Sequence, residues 1–162
     1  MLKFEATFGI VAGYGHDNST AADPATVVAR AWRGALEAEF ASSNILVGAV
    51  VTAGRVVYPA DFGCPEDGEV VATVRGDANP KFVGEGEGKT SLSDFRDAVI
   101  RVTWATKRLL KQARVQLTFQ EVSGFVYFEP VEDDSWVVQE VHRASGVDQA
   151  TGWGVNTIPR PL

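Results

Sequence analysis

Residues 3–10, KFEATFGI, and residues 23–40, DPATVVARAWRGALEAEF, carry the two periodicities that decide the fold. In the first, Phe4, Ala6, Phe8 and Ile10 alternate with Lys3, Glu5 and Thr7, the period of two expected of a strand that buries one face. In the second, Asp23-Pro24 sets a helix start, because a short acidic cap precedes a proline whose missing N–H costs nothing at the first helical position. Val28, Trp32, Leu36 and Phe40 then recur every four residues, flanked by Val27, Ala31 and Ala35, while Arg30, Arg33 and Glu37 fall off that stripe. One face of this helix is therefore expected on a sheet, and Ser42-Ser43-Asn44 closes it.

Working outward, residues 45–52 form an apolar, β-branched run that reads as a strand buried on both faces, and Ala53-Gly54 reads as a turn into Arg55-Val56-Val57-Tyr58. Pro59 and Pro65 bracket a loop holding Cys64, and residues 69–75 alternate again. Residues 76–90, rich in Gly, Asp, Glu, Asn and Pro, read as a mobile surface loop. Ser91, Ser93 or Asp94 caps a second helix on which Phe95, Val99, Val102, Thr106, Leu109 and Ala113 follow helical spacing. Its last turns carry Lys107, Arg108, Lys111 and Arg114, as the negative end of a helix dipole prefers.

Residues 115–122 and 125–131 flank Ser123-Gly124, a two-residue hairpin signal, and residues 136–143 supply a further strand. The order strand, helix, strands, helix, strands predicts an α+β fold: a ferredoxin-like split βαβ sandwich, an antiparallel sheet with two helices on one face, extended by a carboxyl-terminal β-meander. Residues 1–143 are expected as a single α+β domain and residues 144–162 as an extended tail. The open face of such a sheet commonly meets a partner, so a homo-oligomer or a complex with another protein is expected.

The composition narrows the functions. With 15 Lys and Arg against 21 Asp and Glu, the net charge of −6 opposes attraction to nucleic acid, whose affinity rests on phosphate neutralisation. No apolar run approaches the ~20 residues needed to cross a bilayer, so no membrane partner is expected. The single cysteine, Cys64, excludes an internal disulfide, and the first residues lack a basic region followed by an apolar stretch and a cleavage site. The expected location is cytoplasmic.

Four stretches invite a chemistry. Residues 83–91, VGEGEGKTS, resemble a phosphate loop, but only three residues separate Gly84 from Gly88-Lys89-Thr90 where the phosphate cradle needs four, and Glu85 and Glu87 would repel a phosphate. Residues 13–20, GYGHDNST, set His16 and Asp17 between a strand and a helix start, where they are the candidate acid–base groups for a small ligand. His16 and His142 are the only imidazoles and no paired cysteines exist, so neither a metal site nor a cofactor is expected. Cys64 is followed by Glu66 and Asp67, which disfavour a thiolate, and Arg101, Trp104, Arg108 and Lys111 form a basic stripe read as solvated.

No convergent catalytic set stands out, while Phe125, Tyr127, Trp136 and Trp153 crowd the carboxyl-terminal third. The expectation is a non-enzymatic binding or oligomeric assembly module. The alternative is a small-molecule enzyme with its site at the loop 13–20 near His16 and Asp17, and a further alternative is a virion or mobile-element structural protein.

Overall fold

The alternation in the first strand becomes an alternation of burial: in β1 (Leu2–Gly9) Leu2, Phe4, Ala6 and Phe8 are buried while Lys3 is exposed and Glu5, Thr7 and Gly9 are half-buried. The computed structural model describes residues 1–10, 23–122, 126–130, 136–140 and 157–158, the last three groups as backbone alone. Contacts divide the chain into two units, residues 2–120 and residues 121–162 together with Met1.

In the first unit, α1 (Pro24–Ser43) starts where the sequence expects: the Asp23 carboxylate accepts from the Thr26 N–H at 2.8 Å, and Asn44 closes the helix in the left-handed region. The chain then runs irregularly through residues 45–49 before β2 (Val50–Val56). This corrects the expected two-face-buried strand: β2 is an edge strand with an almost wholly exposed burial pattern, and Ala53-Gly54 lies inside it rather than in a turn. The apolar run has a different use, since Val47 drops into the core and Ile45 packs against it as the chain crosses from helix to edge.

A short 3-10 turn (Ala60–Phe62) leads to β3 (Glu69–Asp77), then α2 (Leu92–Leu109) and β4 (Gln116–Glu121). The sheet order β2-β3-β1-β4, with β1 and β2 each antiparallel to β3, is that of the ferredoxin-like α+β fold. Both helices pack on the face that carries Phe4, Ala6, Phe8, Ala72 and Val74. Trp32 of α1 stacks on Phe4 at 5.9 Å and meets Phe8 edge-on at 6.2 Å, and Phe4 also meets Phe95 of α2 at 6.3 Å.

Residues 78–91 are more ordered than a mobile loop. Ala78 and Val83 are buried, the Gly84 N–H donates to the Thr90 carbonyl and the Thr90 N–H to the Phe82 carbonyl, both at 2.9 Å. Gly84, Gly86 and Gly88 take positive φ to make this turn, and the Lys89 ammonium donates to the Pro80 carbonyl at 2.7 Å. Ser91 is the cap of α2, its hydroxyl accepting from the Asp94 N–H.

The second unit contains β5 (Val126–Pro130), β6 (Trp136–Glu140) and β7 (Thr157–Ile158), in the order β5-β6-β7 with both ladders antiparallel. Among the described residues β4 pairs in the first sheet and β5 in the second, so the expected ladder between residues 115–122 and 125–131 is not formed. Ser123-Gly124 itself lies outside the described residues.

Candidate functional site

Because β1 and β3 bury alternate residues under the helices, the others emerge on the opposite face in matched pairs: Glu5 beside Arg75, Thr7 beside Thr73, Gly9 beside Val71. This open face carries a groove of about 730 Å³. Glu5, Thr7 and Gly9 form its floor with Val71; Val56, Tyr58, Phe62 and Glu69 form one wall, and Gln112, Arg114, Gln116 and Thr118 the other.

The polar centre of the first wall is made by the β2–β3 hairpin. Val56 stands opposite Glu69 in the register, and Tyr58, two residues beyond, turns back so that its O–H donates to Glu69 Oε2 at 3.3 Å. Removal from water and then the adjoining Glu69 carboxylate push the Tyr58 phenol above its ordinary value, so it stays a neutral donor. Below this pair, the Glu5 carboxylate is tied to Arg75 Nε at 2.6 Å and Thr7 shares a hydrogen bond with Thr73 at 3.2 Å.

On the second wall the chain leaves α2 through Lys111, in the left-handed region at φ 52°, and lays Gln112 across β1. Gly9 permits this: a Cβ there would stand 2.5 Å from Gln112 Oε1. At the hairpin tip Phe62 is 76% exposed, an uncovered aromatic ring beside a carboxylate and a phenol. The combination can hold a cation at Glu69, face an anion with Arg114 and stack a flat ring on Phe62.

His16 and Asp17 lie outside the described residues, as does His142. Cys64 plays a local part: its sulfur accepts the Tyr58 N–H at 3.4 Å. The basic stripe is dispersed, because Arg101 donates to both oxygens of Glu39 on α1, at 2.7 and 3.0 Å, and Lys107 lies 4.9 Å over the exposed Trp104 ring. Among the described residues no group of three His, Cys, Asp or Glu gathers to hold a metal ion, and no helix is long and apolar enough to cross a membrane. Sequence reading passed over Tyr58 and Glu69 because each looked like an ordinary strand residue. The available signal was the Pro- and Gly-bracketed segment between them, which folds as a hairpin and brings its two ends together.

A family model described as SAM lyase matches residues 1–129. No curated protein matches the chain. Among solved structures it is similar to a phage SAM lyase in complex with S-methyl-5'-thioadenosine, at 17% identity, covering 91% of this chain and 92% of that one, with a TM-score of 0.46. The family match overturns the expectation of a non-enzymatic binding or assembly module, since a lyase family is a family of enzymes, and it favours the enzyme alternative.

Proposed function

The chain belongs to the SAM lyase family, and from that premise we propose that it cleaves S-adenosylmethionine in the groove on the open face of the sheet, with Tyr58 and Glu69 as the residues at the reacting centre. The observation that carries this reading is the Tyr58–Glu69 hydrogen bond beside exposed Phe62, on a chain of that family.

We take the cleavage to be at the Cγ–S bond. A lyase uses no water, so the departing carbon must find its new bond within the substrate. The amino-acid arm offers a nucleophile at five-membered-ring reach. Its carboxylate oxygen can attack Cγ as the Cγ–S bond breaks, closing a five-membered lactone while the electron pair leaves on sulfur as neutral S-methyl-5'-thioadenosine. A sulfonium cation and a carboxylate anion vanish together, so a transition state of reduced charge separation gains from apolar surface beside it, which Phe62 and Val71 supply. Glu69 offers a counter-charge to the cationic substrate, Tyr58 fixes that carboxylate, Arg114 faces the substrate carboxylate, and Phe62 and Val71 provide apolar surface for the nucleoside.

His16 and Asp17 belong to the proposal as further candidates of the site: H16A is expected to abolish turnover with folding kept, and full activity in H16A would remove that loop from the reaction. Self-association belongs to it too: Val50 is 67% exposed on the edge strand, where a second copy would cover it, and a molecular mass by light scattering decides it. A cytoplasmic setting follows from the substrate class.

Glu69→Gln and Tyr58→Phe test the site. Each is expected to keep the fold, checked by circular dichroism, and E69Q to lower kcat/KM for S-adenosylmethionine by about 10²-fold, because the bound sulfonium and its still partly cationic transition state both lose their counter-charge. Full activity in a folded E69Q protein would remove Glu69 from the reaction.

A further inference from the structure

Tyr58 and Glu69 stand at opposite ends of the 57–68 hairpin loop, so their meeting depends on how that loop closes. Arg55, on β2 just before the loop, closes it: its Nη1 donates to the Asp67 carbonyl at 3.0 Å and to the Gly68 carbonyl at 3.3 Å. Gly68 completes the closure with φ 78°, and a Cβ there would stand 2.9 Å from the Val56 carbonyl and 3.0 Å from Val57 Cγ2. Inside the loop, the Gly68 N–H donates to the Pro65 carbonyl at 2.8 Å, and the Cys64 sulfur accepts from the Tyr58 N–H.

We propose that Arg55 is a positioning residue for the reaction: by clasping the two carbonyls at the far end of the hairpin loop it sets Tyr58 against Glu69, with Gly68 and Cys64 as the other two pins of the clasp. The proposal rests on the reading of the groove as the lyase site. Arg55 places one guanidinium nitrogen between two successive backbone carbonyls, and a charged donor shared by both holds the loop end at two points. A loop end that drifted by about 1 Å would lengthen the phenol–carboxylate bond beyond hydrogen-bonding reach, starting as it does from 3.3 Å.

The test compares Arg55→Met, which keeps the apolar stem and removes the donors, with Arg55→Lys, which keeps a cation. Under S-adenosylmethionine turnover, R55M is expected to lower kcat about tenfold or more while KM stays within about twofold, and R55K to recover part of the loss. Wild-type kcat in R55M, or equal losses in R55M and R55K, would overturn the proposal. A second readout needs no turnover: the Tyr58 phenolate absorbance, taken as the difference between each protein and its Y58F counterpart. In R55M the phenol, opened to water and drawn away from the Glu69 carboxylate, is expected to titrate nearer to an ordinary tyrosine, and an unchanged titration would overturn the clasp. If the wild-type protein fails to cleave S-adenosylmethionine, the site reading falls while the absorbance comparison still decides whether Arg55 sets the pair. Should R55M unfold, Arg55→Gln, which keeps a neutral donor on a shorter stem, carries the same comparison with the same two outcomes.

Discussion

The Tyr58 hydroxyl and the Glu69 carboxylate are two functional groups that neither periodicity nor motif singles out, because both depend on a loop closing rather than on a local pattern. Their pairing has a pH signature. Partial dehydration and the neighbouring carboxylate hold the phenol above its ordinary value, so the O–H persists as a donor through the neutral range and into alkali. The alkaline fall of kcat attributable to this group is therefore expected above the ordinary tyrosine range, and Y58F is expected to lack it; a pH–rate profile of both proteins checks this, and a shared fall below that range would separate Tyr58 from the catalytic limb. Gly76 offers a prediction of stability. A Cβ there would collide with the Gly48 carbonyl and the Phe4 ring, so Gly76→Ala is expected to cost about 1–3 kcal/mol in urea unfolding.

At the scale of elements, α1 and α2 are held together by a cation and a carboxylate as well as by apolar side chains. Glu39 is only 8% exposed on the face of α1 where the stripe continues Trp32 and Ala35, and Arg101 reaches it from α2 with two hydrogen bonds. Those hydrogen bonds hold the Glu39 carboxyl below the ordinary glutamate value of 4.5 despite the opposing cost of burial. A carboxyl whose folded value is depressed contributes stability above its unfolded value and loses it as pH falls through the folded one. Melting temperature is thus expected to drop as pH falls below about 4.5, and Glu39→Gln to flatten that part of the drop. Equal slopes would assign the acid sensitivity elsewhere. Phe95, fully buried between the helices and the sheet, is expected to cost about 3–5 kcal/mol when cut to Ala. Both helices were legible from spacing and caps: Asp23 starts the first as expected, and of Ser91, Ser93 and Asp94 the cap of the second is Ser91, although that helix ends at Leu109, short of the expected Ala113. The edge strand was not: residues 45–52 are apolar because Ile45 and Val47 anchor a crossover to the core, a tertiary demand that a run of β-branched residues cannot be told from.

For the whole molecule, the split βαβ order could be read from the alternation of strand and helix periods, and with it the existence of an open sheet face. The groove on that face could not, because its residues come from every strand of the first sheet and from the hairpin loop, and their proximity is a product of register. The absence of a consecutive catalytic motif misled the expectation toward a scaffold, which the SAM lyase family match overturns; in the reaction proposed above, nucleophile and leaving group both belong to the substrate, which asks the protein for a shaped, charged groove. The most direct measurement is to incubate the purified protein with S-adenosylmethionine in ¹⁸O-labelled water and resolve the products by mass spectrometry at early times. S-methyl-5'-thioadenosine released together with an unlabelled four-carbon lactone, at rates lost in E69Q, is the predicted result. Intact S-adenosylmethionine, or cleavage at the adenosyl or methyl bond, would contradict it.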